Sequence, residues 1–262
     1  MTLFCHELRR GRTGLAIWTA AIASLLMVCL ALFPEIKEEM EAVSEAFAAM
    51  GSFTAAFGMD RLRMGSLTGF YAIECGNILG LGGALFAALT GITALSGEEG
   101  GRTAEFLLTH PISRTRVITE KLASVGVRIL ALNGTVLALS LLTMTVIGEE
   151  IPWKEVLLLH LAYFLLQLEI GGICAGISAF LCRGGVGIGL GLAVILYCLN
   201  LIGNLTDRGA FLKYITPFGY CEGADIVTNG SLDGAMVLLG MGYMAAAVFA
   251  GYWKYRKKDI AP

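Results

Sequence analysis

The sequence predicts an all-α integral membrane protein with six transmembrane helices, and three observations predict it. Six apolar runs recur along the 262 residues, each near the length that crosses hydrocarbon. Hydrophobic residues make up 56% of the chain and charged ones 15%, against roughly 25% charged in soluble domains. Mean hydropathy is +0.73, and the charges gather between the runs rather than within them.

Met1–Gly14 sets Arg9, Arg10 and Arg12 beside Leu3, Phe4 and Leu8, the pattern of a short interfacial helix leading into a membrane. Leu15–Phe33 is 19 residues without a charge, about 28 Å as a helix. No small-x-small cleavage site follows it, which argues against a removed signal peptide. Glu35–Asp60 is acidic at first, then apolar at helical spacing (Val43, Phe47, Met50), and reads as an amphipathic helix on the far side. Phe70–Leu95 is the second span and Leu122–Ile147 the third; a Gly148–Pro152 turn leads to a fourth at Val156–Leu181. Cys182–Gly184 turns the chain into Gly185–Gly203, the fifth span, and Gly234–Trp253 is the sixth. Asn204–Asp233 is too polar to span and is expected to form an extracytoplasmic loop with short surface or re-entrant helices. The whole of 1–262 reads as one transmembrane domain.

The charges orient these spans. With six spans the termini, the 97–121 loop and Arg183 share a side. That side collects Arg9, Arg10, Arg12, Arg102, Arg114, Arg116, Lys121, Arg128, Arg183, Lys254, Arg256, Lys257 and Lys258, thirteen of nineteen basic residues. Positive loops stay cytoplasmic, so both termini are expected in the cytosol, in a bacterial-type cytoplasmic membrane.

The longest charged stretch between two spans is Gly97–Lys121. Glu98, Glu99 and Glu105 suit the start of a helical run, Thr103, Phe106, Leu107 and Leu108 give that run an apolar side, and Pro111 interrupts it. Ser113 is placed to cap a second helix that opens with Arg114 and Arg116. The segment is either a rigid knob for another protein or a solvated loop.

As it stands at Glu98–Arg114, E-E-x-G-R-T-x-E-F-L-L-T-x-P-I-S-R resembles the first cytoplasmic loop of ABC type-2 transporter permeases. Tyr214–Asp233, with Pro217-Phe218 and Ala224-Asp225-Ile226, resembles the segment before the last span of that family. The resemblance implies that the loop carries a coupling helix. Glu98, Glu99, Arg102, Thr103, Glu105, Phe106, Leu107, Leu108, Pro111, Ser113 and Arg114 would then meet a separate ABC ATPase subunit. It also implies an exporter of two ATPase and two permease subunits, the second permease being another copy of this chain or a relative. ATP and magnesium would belong to the ATPase. This chain has no G-x-x-x-x-G-K-[ST] and no soluble stretch large enough for a nucleotide domain. It is therefore expected to be no enzyme itself and to hold no cofactor, metal or nucleic acid.

Polar residues inside the spans are the remaining candidates. Glu74 and Asn77 share a face of the second span; Asn133, Glu169 and Asn200 lie in the third, fourth and fifth, with Gln167 and His160 near Glu169. A carboxylate in hydrocarbon is costly, so these groups either line a path for a polar or cationic substrate or tie helices together. Gly76/Gly80, Gly172/Gly176, Gly185/Gly189 and Gly187/Gly191 are G-x-x-x-G pairs suited to close helix packing, though membrane helices are glycine-rich in general.

Other chemistries fail on spacing. His6-Glu7-Leu8-Arg9-Arg10 lacks the second histidine of a zinc protease helix, and all five aspartates lie outside the spans. Seven scattered cysteines form no C-x-x-C pair and imply neither disulfides nor a metal. The rival to a permease is a non-catalytic membrane anchor or immunity protein that sequesters a peptide without ATP turnover.

Overall fold

A computed structural model describes residues 2–49, 51, 54, 56–59, 61–100, 113–181, 185–205 and 207–258, with backbone alone for 2, 42–49, 98–100 and 207–208. Six helices are long and apolar enough to span a membrane, as the hydropathy runs require. They are α1 (Thr2–Ala49), α2 (Leu67–Cys75) continued through a π-helical turn (Gly76–Leu81) into α3 (Gly82–Gly100), α4 (Arg114–Val146), α5 (Trp153–Ser178), α6 (Val186–Leu205) and α8 (Gly234–Lys257). Two 3₁₀ segments, Asp207–Tyr214 and Pro217–Tyr220, and the short helix α7 (Gly223–Asn229) fill the stretch between the last two spans. They are the short helices expected of residues 204–233.

The first helix departs from expectation in one respect. Residues 2–14, the first span and residues 35–49 form one 48-residue helix with Pro34 inside it, where three elements were expected. Proline forfeits one backbone hydrogen bond, but a helix crossing hydrocarbon has no water to satisfy broken backbone groups, so continuation wins. Lys37 ties the extension down through Glu149 at 2.9 Å, in the turn joining α4 to α5.

Helix α5 and the α2–α3 helix form the centre. Of their most apolar windows, 61% and 67% are buried, against 11% for α8 and 28% for α6. The α3–α5 interface is the most extensive, followed by α1–α4 and α5–α8. Small residues set these approaches. A Cβ on Gly91 would lie 2.2 Å from the Gly171 carbonyl oxygen, and one on Gly176 would lie 2.3 Å from that of Ala247. Three glycine pairs therefore work inside the monomer: Gly76/Gly80 receive Tyr163, Gly172/Gly176 receive α8, and Gly185/Gly189 receive Ile92. A Cβ on Gly187 or Gly191 would meet nothing within 4 Å among the described residues, so this pair opens onto free space. Apolar side chains fill the remainder, with Leu26, Leu30 and Phe33 of α1 fully buried and Phe33 5.1 Å from Phe70 by ring centroids.

The start of α1, the start of α4 and the end of α8 meet at one end of the bundle, here the proximal end. The opposite, distal end is covered by residues 56–59, 61–66 and 207–233. Asn204 Nδ2 donates to the Ala56 carbonyl at 3.0 Å, and Arg61 pairs with Asp225 across the two covering segments.

Candidate functional site

The proximal end presents the frame around the charged loop. Arg102, Thr103, Glu105, Phe106, Leu107, Leu108 and Pro111 lie outside the described residues, and Glu98 and Glu99 are described only as backbone of the last turn of α3. Beyond the loop the chain resumes as expected: the Ser113 hydroxyl caps α4, accepting from the Arg116 amide at 3.3 Å. Arg114 is committed to the fold. Its guanidinium donates to the carbonyls of Tyr255 (3.2 Å), Arg256 (3.5 Å) and Lys258, at the carbonyl-rich end of α8. A cation there satisfies groups that a helix terminus leaves open. Lys258 in turn donates to the Leu181 carbonyl at 2.8 Å, so α4, α5 and α8 are tied together beside the loop.

A buried ion pair lies about two turns deeper along α4. Lys121 Nζ donates to Glu7 Oε1 at 2.7 Å, with the side chains 2% and 8% exposed, and Arg128 approaches the second carboxylate oxygen at 3.8 Å. Phe4 N–H donates to Glu120 at 3.0 Å beside it. These bonds lock the start of α1 to α4. In the sequence Lys121 reads only as an orienting charge and Glu7 only as half a failed metal motif; their separation of 114 residues hides the pair.

The five polar residues expected on a substrate path fall in four places. Asn133 Nδ2 donates to Gln167 Oε1 at 2.7 Å and to the Ile129 carbonyl at 2.9 Å. Gln167 Nε2 donates to the Leu79 carbonyl in the π-helical turn at 3.3 Å. Gly83 leaves room for that amide, since a Cβ there would sit 2.1 Å from Gln167 Nε2. Asn133 thus joins α4, α5 and the π-helical turn in one network. Glu74 is partly buried beside Cys29 of α1. Glu169 is fully buried between α5 and α8, with Gly240 packed over its carboxyl and the Tyr220 hydroxyl as its polar neighbour; among the described residues no hydrogen bond of good geometry reaches either carboxyl oxygen.

Asn77 and Asn200 come together. Both line a cavity of about 50 Å³ at the distal end, enclosed by the start of the π-helical turn, α5, α6 and the covering segments. Tyr163, Tyr197 and Phe218 contribute aromatic walls and Glu222 a carboxylate. Glu222 accepts from Asn204 Nδ2 at 2.7 Å. Burial pushes its carboxyl above the ordinary glutamate range, against the opposing pull of Asn204, Lys213 and Arg61. Glu222 escapes the sequence reading because it lies in a segment taken as loop. A sequence signal exists: an acid two residues after the aromatic run Pro217-Phe218-Gly219-Tyr220.

A family model for ABC-2 family transporter proteins matches residues 1–260. The chain belongs to this family. It is accordingly a multi-pass membrane permease subunit of an ABC transporter, distinct from the ATPase, and an ABC ATPase subunit is its implied partner. No curated protein matches the chain.

Proposed function

We propose that this permease couples ATP hydrolysis on its partner to export of a substrate across a bacterial-type cytoplasmic membrane, with both termini and the 97–121 loop in the cytosol. The observation that carries the reading is the bracing of α4 beside the loop. Ser113 caps α4, Arg114 clamps it to α8, and Lys121 locks it to α1. A displacement of the loop by a closing ATPase pair would therefore move three spans together, whereas a solvated loop needs no such bracing.

In this reading Glu98, Glu99, Arg102, Thr103, Glu105, Phe106, Leu107, Leu108 and Pro111 form the docking element, while Ser113 and Arg114 hold its base. ATP and magnesium belong to the ATPase. A second permease copy, or a related permease, packs on the exposed faces of the peripheral helices, where Leu238 is 74% and Phe249 73% exposed, and lipid covers the rest. Asn77 and Asn200 line the distal part of the substrate path, Glu74 and Glu169 flank it, and Asn133 holds its walls. Single-cysteine accessibility tests the topology: Cys5 and Gly97→Cys, the latter in open space, should label from the cytosol and Ser44→Cys from outside. Positions 44 and 97 labelling from one side would contradict a second span that crosses the membrane.

A further inference from the structure

The distal cavity has a chemistry that the permease reading leaves unused. Its hydroxyl and thiol protons and the Asn204 amide hydrogens are spent on the chain's own acceptors, while the Asn77 and Asn200 amides keep both donors and acceptors. Tyr197 donates its phenolic hydrogen to Asn77 Oδ1 at 3.2 Å, and Tyr163 donates to the Cys221 carbonyl at 3.2 Å. The Cys221 thiol turns away, toward the carbonyls of Ala162 (3.4 Å) and Pro217 (3.6 Å). Asn204 gives its amide hydrogens to Glu222 and Ala56. Lone pairs remain. Asn200, 6% exposed, has a buried Oδ1 without a partner among the described residues, Asn77 Oδ1 accepts one bond and has capacity for another, and Glu222 brings a carboxylate.

The walls are aromatic, with Tyr197 and Phe218 packed edge to face at 5.4 Å between centroids. Among the described residues no lysine or arginine lines the cavity. Arg61 and Lys213 lie within the field of Glu222 but outside the lining, and Arg61 pairs with Asp225. A carboxylate and two amide oxygens on lining residues, set among aromatic rings, suit a cation carrying N–H donors. The volume of about 50 Å³ holds roughly three waters, so the fit is a small head rather than a bulky quaternary one.

We propose that this cavity binds a primary ammonium group, its three N–H donors shared among Asn200 Oδ1, Asn77 Oδ1 and the Glu222 carboxylate, between the rings of Tyr163, Tyr197 and Phe218. The group arrives either on a small soluble amine or on the head of an aminophospholipid. Its place on a substrate path rests on the permease reading; the binding itself does not.

Equilibrium binding of radiolabelled methylammonium to the full chain in nanodiscs tests it, with no nucleotide or ATPase present. In phosphatidylcholine discs, whose quaternary head has no N–H to donate, one saturable site per chain is expected. Glu222→Gln and Asn200→Leu should each weaken it at least tenfold. Asn200→Asp, which adds a second carboxylate, should tighten it several-fold, a gain that misfolding would not produce. The site persisting in phosphatidylethanolamine discs identifies a soluble amine as the ligand; its loss there identifies the lipid head group. Absence of saturable binding in phosphatidylcholine discs, or equal affinity in wild type and all three variants, would overturn the proposal while leaving the permease reading to its own ATPase assay.

Discussion

Glu7 and Glu169 are both buried glutamates in membrane helices, and their surroundings could hardly differ more. Glu7, at the proximal end, has Lys121 at 2.7 Å and Arg128 at 3.8 Å. Glu169, on α5, has no cation beside it among the described residues, and its polar neighbour is the Tyr220 hydroxyl. A paired buried charge is a structural tie, because removing one member strands the other. An unpaired one ties nothing, so its presence calls for neutrality or for a role in transport. The same residue type thus does opposite work at two depths of one bundle.

The largest loss of stability is expected from Lys121→Ala, which leaves Glu7 buried without its nearest cation and should cost about 3–5 kcal/mol. The double change Glu7→Gln with Lys121→Met should recover most of it, as read by thermal unfolding in detergent. Gln167→Leu comes next. It strips Asn133 of one partner and the Leu79 carbonyl of another, for about 1–3 kcal/mol. Glu169→Gln should change stability by less than ~1 kcal/mol, since no ion pair is lost and an amide can still face the Tyr220 hydroxyl, while altering substrate-stimulated ATPase of the assembled transporter. A loss from Glu169→Gln as large as that from Lys121→Ala would break the contrast between the two sites.

The six spans were legible because hydrophobic length is a local property: each run in the sequence lies in a helix within a few residues of its expected bounds, apart from the first, which runs on at both ends, and the early start of the third at Arg114. Ser113 was legible for the same reason, a cap being decided by its own turn. The continuity of α1 through Pro34 was not, since proline stops helices in water and is tolerated in a bilayer. Nor was the π-helical turn, which has no distinctive local composition. Asn77 and Asn200 were read as site residues separately, and only the fold places them on one cavity with Glu222. Pairings such as Glu7 with Lys121 are long-range and leave no periodic trace.

The smallest expected effect sits in the distal layer and depends on pH. Burial holds the Glu222 carboxyl above its ordinary range. A carboxyl whose folded pKa exceeds its unfolded one gains a proton on folding. Its ionisation therefore subtracts stability above the folded pKa and subtracts nothing below the unfolded value. Glu222→Gln keeps an acceptor for Asn204, so it should match wild type in acid and gain on it as pH rises to neutrality. Unfolding curves across that range check the sign; a gain confined to acid would reverse it.

Coupling through the charged loop is the central claim. Leu107 and Leu108 are the side chains whose burial against an ATPase would contribute about 1.5–3 kcal/mol each. The direct measurement is co-purification with the cognate ABC ATPase subunit, and its ATP turnover, for wild type and for Leu107→Asp with Leu108→Asp. The double variant should insert normally yet lose the partner or leave its turnover unstimulated. Unchanged binding together with unchanged turnover would contradict a docking role for the loop.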